Sequence, residues 1–350
     1  MIDKIELECR NNEIMAHLTP DFFRGRGDVE IMGYNKYAFK LFNSLLSRKT
    51  SGYLKITCSH INEKGDYVPF KIGNSIRKWQ LGKESEKDLS KKDFEEAINQ
   101  LLEILNLSHE ALRYFDITHI ELGLNIKMKR PYAEAKKMIF GYGENRYKRN
   151  SYETGDTFHV TSKYVTFYDK KEEISTKIKK CLIKNFDDDK YLKDNADKNI
   201  TRIEVKYRSQ SKIKKELGFT NLEDCVTHFN TLYCHYWNEL SNIQFSDVFT
   251  GILPSEECLI KNYTEFLFHF AEIGMKYVGA EYVGQEIKRM KNRNARMYVR
   301  KKLLENPSKR TCLYDKRAFM IDIRNRMLLS MYHSGCLNLV KPLFLDKPIA

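Results

Sequence analysis

Apolar and polar residues follow two different rhythms along this chain. Up to about residue 220 they alternate in short runs, and beyond it they recur at helical spacing. The start, Met-Ile-Asp-Lys-Ile-Glu-Leu-Glu, predicts a strand over residues 1–9. Further strands are expected at 28–33, 52–60 and 66–72, the last two joined by a turn at Glu63-Lys64-Gly65-Asp66. Arg24-Gly25-Arg26-Gly27 reads as a basic surface loop. Ser90 opens a helix to about Leu107, with Ala97, Leu101, Leu102 and Leu105 at helical spacing. Asp93, Glu95 and Glu96 lie in its early turns, where the dipole favours acids. Asp116–Met128 is a strand, and Pro131 starts a helix where its missing N–H does no harm.

The stretch Asp156 to Glu173 predicts a strand, a tight turn and a second strand, Lys163 to Tyr168. It runs directly into a charged helix from about Asp169 to Lys184. After a polar stretch that includes Asp187-Asp188-Asp189 come a strand, Ile200 to Arg208, and a basic helix, Ser209 to Leu217, closed by Gly218. Thr220 with Glu223 has the form of a capping box. Helices are then expected at 221–242, 255–279, 281–305 and 314–334. The fold class is therefore α+β, with a domain built on an antiparallel central sheet over 1–218 and a mostly helical domain over 219–350.

Three strands concentrate polar residues on one face. His119, Glu121, Gly123 and Asn125 alternate with Ile120, Leu122 and Leu124. Arg202, Glu204 and Lys206 alternate with Ile203, Val205 and Tyr207. Tyr164, Thr166 and Tyr168 alternate with Val165 and Phe167. Mid-strand carboxylates such as Glu121 and Glu204, each with polar neighbours two residues away, suit a hard cation, Mg²⁺ or Mn²⁺. The same pattern also fits an amphipathic sheet with one solvated face and cross-strand ion pairs. Tyr168 stands at the strand-to-helix junction beside Lys170 and Lys171, and a phenol needs such help because its pKa is near ~10. Tyr164 shares the face but lies about 13 Å away along the strand, so it reads as structural.

Composition sharpens this picture. The 350 residues carry a net charge of +13 and are 42% hydrophobic, which supports a folded core and favours polyanionic partners, nucleic acid first and an anionic membrane surface second. No secretory signal and no apolar run of membrane-spanning length is expected. Eight scattered cysteines without a CxxC pair point to free thiols in a reducing cytoplasm. Cys225, His228, Cys234 and His235 fall on one expected helix and match no zinc spacing. Residues 281–310 hold ten basic residues against three acids. Lys288, Arg289, Lys291, Arg293, Arg296, Arg300, Lys301 and Lys302 are thus candidates for DNA phosphate contact, followed by Lys309 and Arg310; Lys206 is a further candidate on the sheet.

In their order, M-I-D-K-I-E-L, T-H-I-E-L-G-L-N, T-S-K-Y-V-T-F-Y-D-K-K-E-E-I and T-R-I-E-V-K-Y-R-S-Q-S-K-I-K-K-E-L-G-F resemble the gene II/X-type replication initiators of filamentous phages and their plasmid relatives. The resemblance covers roughly residues 1–220. It implies rolling-circle replication, with Tyr168 as the nicking tyrosine forming a 5′-phosphotyrosyl link and Lys170 as the lysine of a Tyr-x-Lys motif. Glu204 matches a family glutamate, Glu121 replaces an aspartate and His119 replaces an arginine. The His-hydrophobic-His pair of many such initiators is absent from the sequence, so the resemblance implies that carboxylates supply most metal ligands, with His119 or Asn125 assisting. The implied partners are origin DNA, single-stranded or supercoiled, with a host helicase and polymerase in a bacterial cytoplasm. A non-catalytic DNA-binding regulator of the same fold, or a Mg²⁺-dependent nuclease using water, are the alternatives.

Overall fold

The computed structural model describes residues 1–24, 28–31, 37–46, 52–61, 67–82, 87–129, 131–143, 147–179, 192–245, 248–249, 263–305, 312–314, 316–336 and 338. Gly25 to Gly27, the expected turn at 63–66, Asp187 to Asp189, Lys309 and Arg310 lie outside the described residues.

The strands, in chain order, are β1 (Ile2–Cys9), β2 (Asp28–Ile31), β3 (Tyr37–Phe42), β4 (Tyr53–Thr57), β5 (His60–Ile61), β6 (Tyr67–Val68), β7 (Phe70–Gly73), β8 (Phe115–Met128), β9 (Ile139–Tyr142), β10 (Lys148–Ser151), β11 (Gly155–Val160), β12 (Lys163–Asp169), β13 (Asn199–Tyr207), β14 (Ile243–Phe245), β15 (Val248–Phe249) and β16 (Cys312–Tyr314). The helices are α1 (Asn12–His17), α2 (Pro20–Phe23), α3 (Ile76–Leu81), α4 (Lys91–Leu105), α5 (Tyr132–Ala135), α6 (Lys170–Lys179), α7 (Gln210–Leu217), α8 (Leu222–Thr227), α9 (Thr231–Ser241), α10 (Tyr263–Arg289), α11 (Arg293–Arg300) and α12 (Lys316–His333).

Ten strands form one sheet in the order β10-β11-β12-β13-β8-β1-β7-β4-β3-β2, with every neighbouring pair antiparallel. The α+β class is therefore what the structure shows. The long central strand β8 is hydrogen-bonded to β13 on one side and β1 on the other. Its apolar row, Ile120, Leu122, Leu124 and Ile126, is fully buried, as are Ile203, Val205 and Phe167 on the same sheet face. Helices α7 and α12 pack on β8. Tyr236 of α9 donates to the Ile203 carbonyl at 2.9 Å. The opposite, polar face receives α3 over β1 and α6 over β12 and β13.

Local rules explain the boundaries near the site. Ser90 caps α4 and Asp93 returns the bond to the Ser90 N–H, a full capping box, while Phe94, Ala97, Ile98, Leu101, Leu102 and Leu105 form its buried stripe. Gly218 closes α7 in the left-handed region at φ 84°. The next cap is Asn221, not Thr220: the Asn221 side chain accepts the Asp224 N–H at 2.8 Å. The expected helix over 221–242 is two helices, α8 and α9, and the turn between them places Phe229 in the core beside Phe94. The expected break between the helices ending at 279 and starting at 281 falls at Gly279, whose non-helical backbone (φ 80°, ψ 160°) divides α10 into two helices; the second stops at Arg289, short of the expected 305, before α11 begins. Strand β3 and helix α3 had no counterpart in the sequence expectations. Apolar residues on both sides of the expected boundary at 218, from Met1 to Cys336, belong to one continuous buried cluster.

Candidate functional site

Register assembles the site on the polar face. Tyr168 stands opposite Arg202, and Arg202 opposite Asn125. One rung along, Thr166, Glu204 and Gly123 align; on the next, Tyr164, Lys206, Glu121 and Lys4 do. The three strands singled out from their alternation are thus adjacent, in the order β12-β13-β8.

A fourth strand supplies a residue that alternation could not place. Between Ile2 and Lys4 the β1–β8 register slips, so Asp3 is the extra residue of a bulge. A bulge re-aims a side chain, and here Asp3 joins Glu121 and Glu204. One oxygen of each carboxylate lies within 4.8 Å of the others, and all three residues are buried. Three convergent carboxylates can hold a metal ion. Asp3 is fixed by Ser75 Oγ at 2.8 Å and Arg77 Nε at 2.9 Å, both from the start of α3.

Cations lie between the acids. Arg202, 2% exposed, donates from Nε to Glu204 at 2.6 Å, from Nη1 to Asn125 Oδ1 at 3.0 Å and from Nη2 to Asp3 at 2.5 Å. Gly123 leaves room for this: a Cβ there would sit 2.8 Å from Arg202 Nη2. Lys206 Nζ bridges Glu204 at 2.7 Å and Glu121 at 3.2 Å. The Tyr168 hydroxyl donates to Glu204 Oε1 at 2.8 Å. Lys170 Nζ lies 5.5 Å from the centroid of the Tyr168 ring and pairs with Glu173 at 2.9 Å.

The ionisation states follow from these contacts. Burial favours the neutral form of each acid. For Glu204, Arg202 and Lys206 outweigh burial and bring the carboxyl down to about 2. Arg202 and Arg77 do the same for Asp3. At Glu121, burial and the like charge of Glu204 prevail over Lys206, and its pKa rises to about 7. Burial and the Arg202 charge bring Lys170 down to about 8. Burial and the Glu204 carboxylate raise Tyr168 well above the ordinary phenol value.

Other sequence candidates fall elsewhere. His119 turns its Nδ1 toward Glu6, 3.5 Å away on β1, and lies outside the carboxylate cluster. Asn125 is engaged as the acceptor for Arg202. The Tyr164 ring stacks on His159 and lies 4.3 Å beneath the Arg208 guanidinium. Of the basic set, Lys288, Arg289, Lys291, Arg293, Lys301 and Lys302 are exposed, while Arg300 packs over Phe140. Among the described residues, no helix is long and apolar enough to cross a membrane. No protein-family model and no curated protein matches the chain, so the chemistry of the site rests on its own geometry.

Proposed function

We propose that this chain nicks one DNA strand through Tyr168 and acts as a replication initiator of the rolling-circle type. The observation that carries this reading is a tyrosine hydroxyl hydrogen-bonded to one member of a buried carboxylate cluster, with a lysine of lowered basicity over its ring. In the reaction, the Tyr168 oxygen forms a bond to the scissile phosphorus and the P–O3′ bond breaks, leaving a 5′-phosphotyrosyl link and a free 3′-hydroxyl. The link conserves the phosphodiester energy, so rejoining needs no ATP.

Glu204 orients the phenol but is a weak base, because Arg202 and Lys206 hold its pKa at about 2. Lys170, near 8, is the better proton acceptor: an acid–base catalyst works best when its pKa lies close to the working pH. Asp3, Glu121 and Glu204 would hold Mg²⁺ or Mn²⁺, which when bound would neutralise charge on the phosphate. Glu121 must lose its proton first, so cation affinity rises with pH up to about 7. The exposed cations around α11 would hold origin DNA by phosphate contact.

One observation favours a second reading. Arg202 and Lys206 already balance the carboxylates, as in an ionic network of a non-catalytic DNA-binding module. Incubation with supercoiled origin DNA and Mg²⁺ separates the two: nicking with a covalent adduct supports the first, and salt-sensitive binding without nicking supports the second.

A further inference from the structure

The polar sheet face continues past the carboxylate cluster. Arg208 directly follows β13 and takes the side of the sheet that Arg202, Glu204 and Lys206 take, beside Tyr164 of β12. Its guanidinium carbon lies 4.3 Å from the centroid of the Tyr164 ring. That ring stacks in turn on His159 of β11, with centroids 5.6 Å apart and planes at 16°. His159 and Tyr164 stand directly opposite each other across the β11–β12 ladder. A stack of guanidinium, phenol and imidazole thus runs from the end of β13 across β12 to β11, on the face that carries Tyr168.

The fold holds Arg208 in place. Its N–H donates to the Ser162 carbonyl at 2.8 Å, in the turn between β11 and β12. The next residue, Ser209, caps α7 by accepting the Lys212 N–H. The backbone is pinned on both sides, and the ring beneath removes freedom from the side chain. The guanidinium is nevertheless exposed, and among the described residues no acid pairs with it. Lys148, opposite His159 on β10, is a second exposed cation without an ion pair among the described residues. The cations closer to Tyr168 differ: Arg202, Lys206 and Lys170 are all engaged by carboxylates. An arginine stacked on an aromatic ring keeps its in-plane donors, and these match the oxygens of a phosphate.

We propose that Arg208, held flat on Tyr164, clamps a backbone phosphate near the scissile one on the same DNA strand, and that Tyr164 is its positioning residue. This rests on the DNA-nicking reading. Tyr164 lies ~13 Å from Tyr168 along β12 and on the same face, so one extended strand reaches the nucleophile and the clamp together. That distance also keeps the Tyr164 hydroxyl out of the chemistry at Tyr168. The clamp uses its ring.

The test is fluorescence anisotropy of a labelled, single-stranded, mixed-sequence oligonucleotide with the full chain in EDTA, across a salt series. Arg208→Ala should weaken binding at least about fivefold and flatten the log–log salt dependence by about 0.7, the value of one phosphate contact on a single strand. Tyr164→Phe should bind like wild type, whereas Tyr164→Leu should lose at least about threefold with the cation–π contact. Arg208→Ala combined with Tyr164→Leu should bind no more weakly than Arg208→Ala alone, because the ring acts through the guanidinium. Unchanged binding by Arg208→Ala, a Tyr164→Phe loss as large as that of Tyr164→Leu, or additive losses in the double variant overturns the proposal. So does displacement of the oligonucleotide by polyglutamate as readily as by unlabelled DNA. The expected losses in a chain that never nicks keep the clamp and refute only the tyrosine chemistry.

Discussion

Glu121 offers the most quantitative check on the carboxylate cluster. Its pKa rises from an ordinary 4.5 to about 7 in the fold, through burial and the facing Glu204 carboxylate. A carboxyl whose folded pKa is raised favours the protonated state, so its contribution to stability is intact below 4.5. That contribution is lost as pH climbs from 4.5 to 7, and it stays lost above. At roughly 1.4 kcal/mol per tenfold change in proton affinity, the loss at pH 8 is about 3 kcal/mol. Glutamine mimics the protonated acid, and Lys206 keeps Glu204 as its partner. Glu121→Gln should therefore match the wild type near pH 4.5 and exceed it by about 2–3 kcal/mol at pH 8 in EDTA. Urea unfolding followed by the fluorescence of buried Trp79 and Trp237 reports this difference across pH. Mg²⁺ should bring the two close to level: at about 100 times its Kd it adds roughly 2.7 kcal/mol to the wild type alone. A variant less stable than wild type at pH 8 in EDTA, or a difference that does not change with pH, refutes the reasoning.

Further predictions concern the tyrosine, its neighbours and the basic helix. If neutral Lys170 takes the phenol proton, nicking should rise with pH and level off above about 8; Lys170→Arg should lose that profile and about 100-fold in rate. Gly155 stands opposite Tyr168, and a Cβ there would meet the Phe167 carbonyl and lie 2.6 Å from Tyr168 Cβ. Gly155→Ala should thus displace the tyrosine and reduce nicking at least about tenfold with DNA affinity unchanged, as measured by parallel nicking and filter-binding assays. Replacing exposed Arg293, Lys301 and Lys302 by alanine should flatten the log–log dependence of DNA affinity on salt by about 2 to 3, with little effect on nicking at saturating DNA.

Much of the site could be read from alternation alone. Strands with strict period two, such as Thr201 to Tyr207, announce which face each side chain takes, and the antiparallel order then aligns Glu204, Glu121 and Tyr168. What alternation cannot show is a break in itself. Asp3 alternates with Ile5 and Leu7 in sequence, which would place it on the apolar face; the bulge moves it to the polar one. Arg202 was visible on the Glu204 face, yet its threefold engagement depends on the space above Gly123. Helix α3 is only six residues long, too short for a helical period to register, although it supplies the groups that hold Asp3. Strand β3 was missed for a different reason: Tyr-Ala-Phe-Lys-Leu-Phe is an apolar run with one lysine and fits neither period. The helix break after Thr227 is set by burial of Phe229, a tertiary demand with no local signal.

The most direct test of the central claim is covalent capture. Wild-type chain incubated with 5′-side and 3′-side labelled single-stranded origin DNA and Mg²⁺ should yield a denaturation-resistant adduct. Peptide mass spectrometry should place the nucleotide on Tyr168, and Tyr168→Phe should form no adduct. An adduct on Tyr164 or another residue, or undiminished nicking by Tyr168→Phe, contradicts the account.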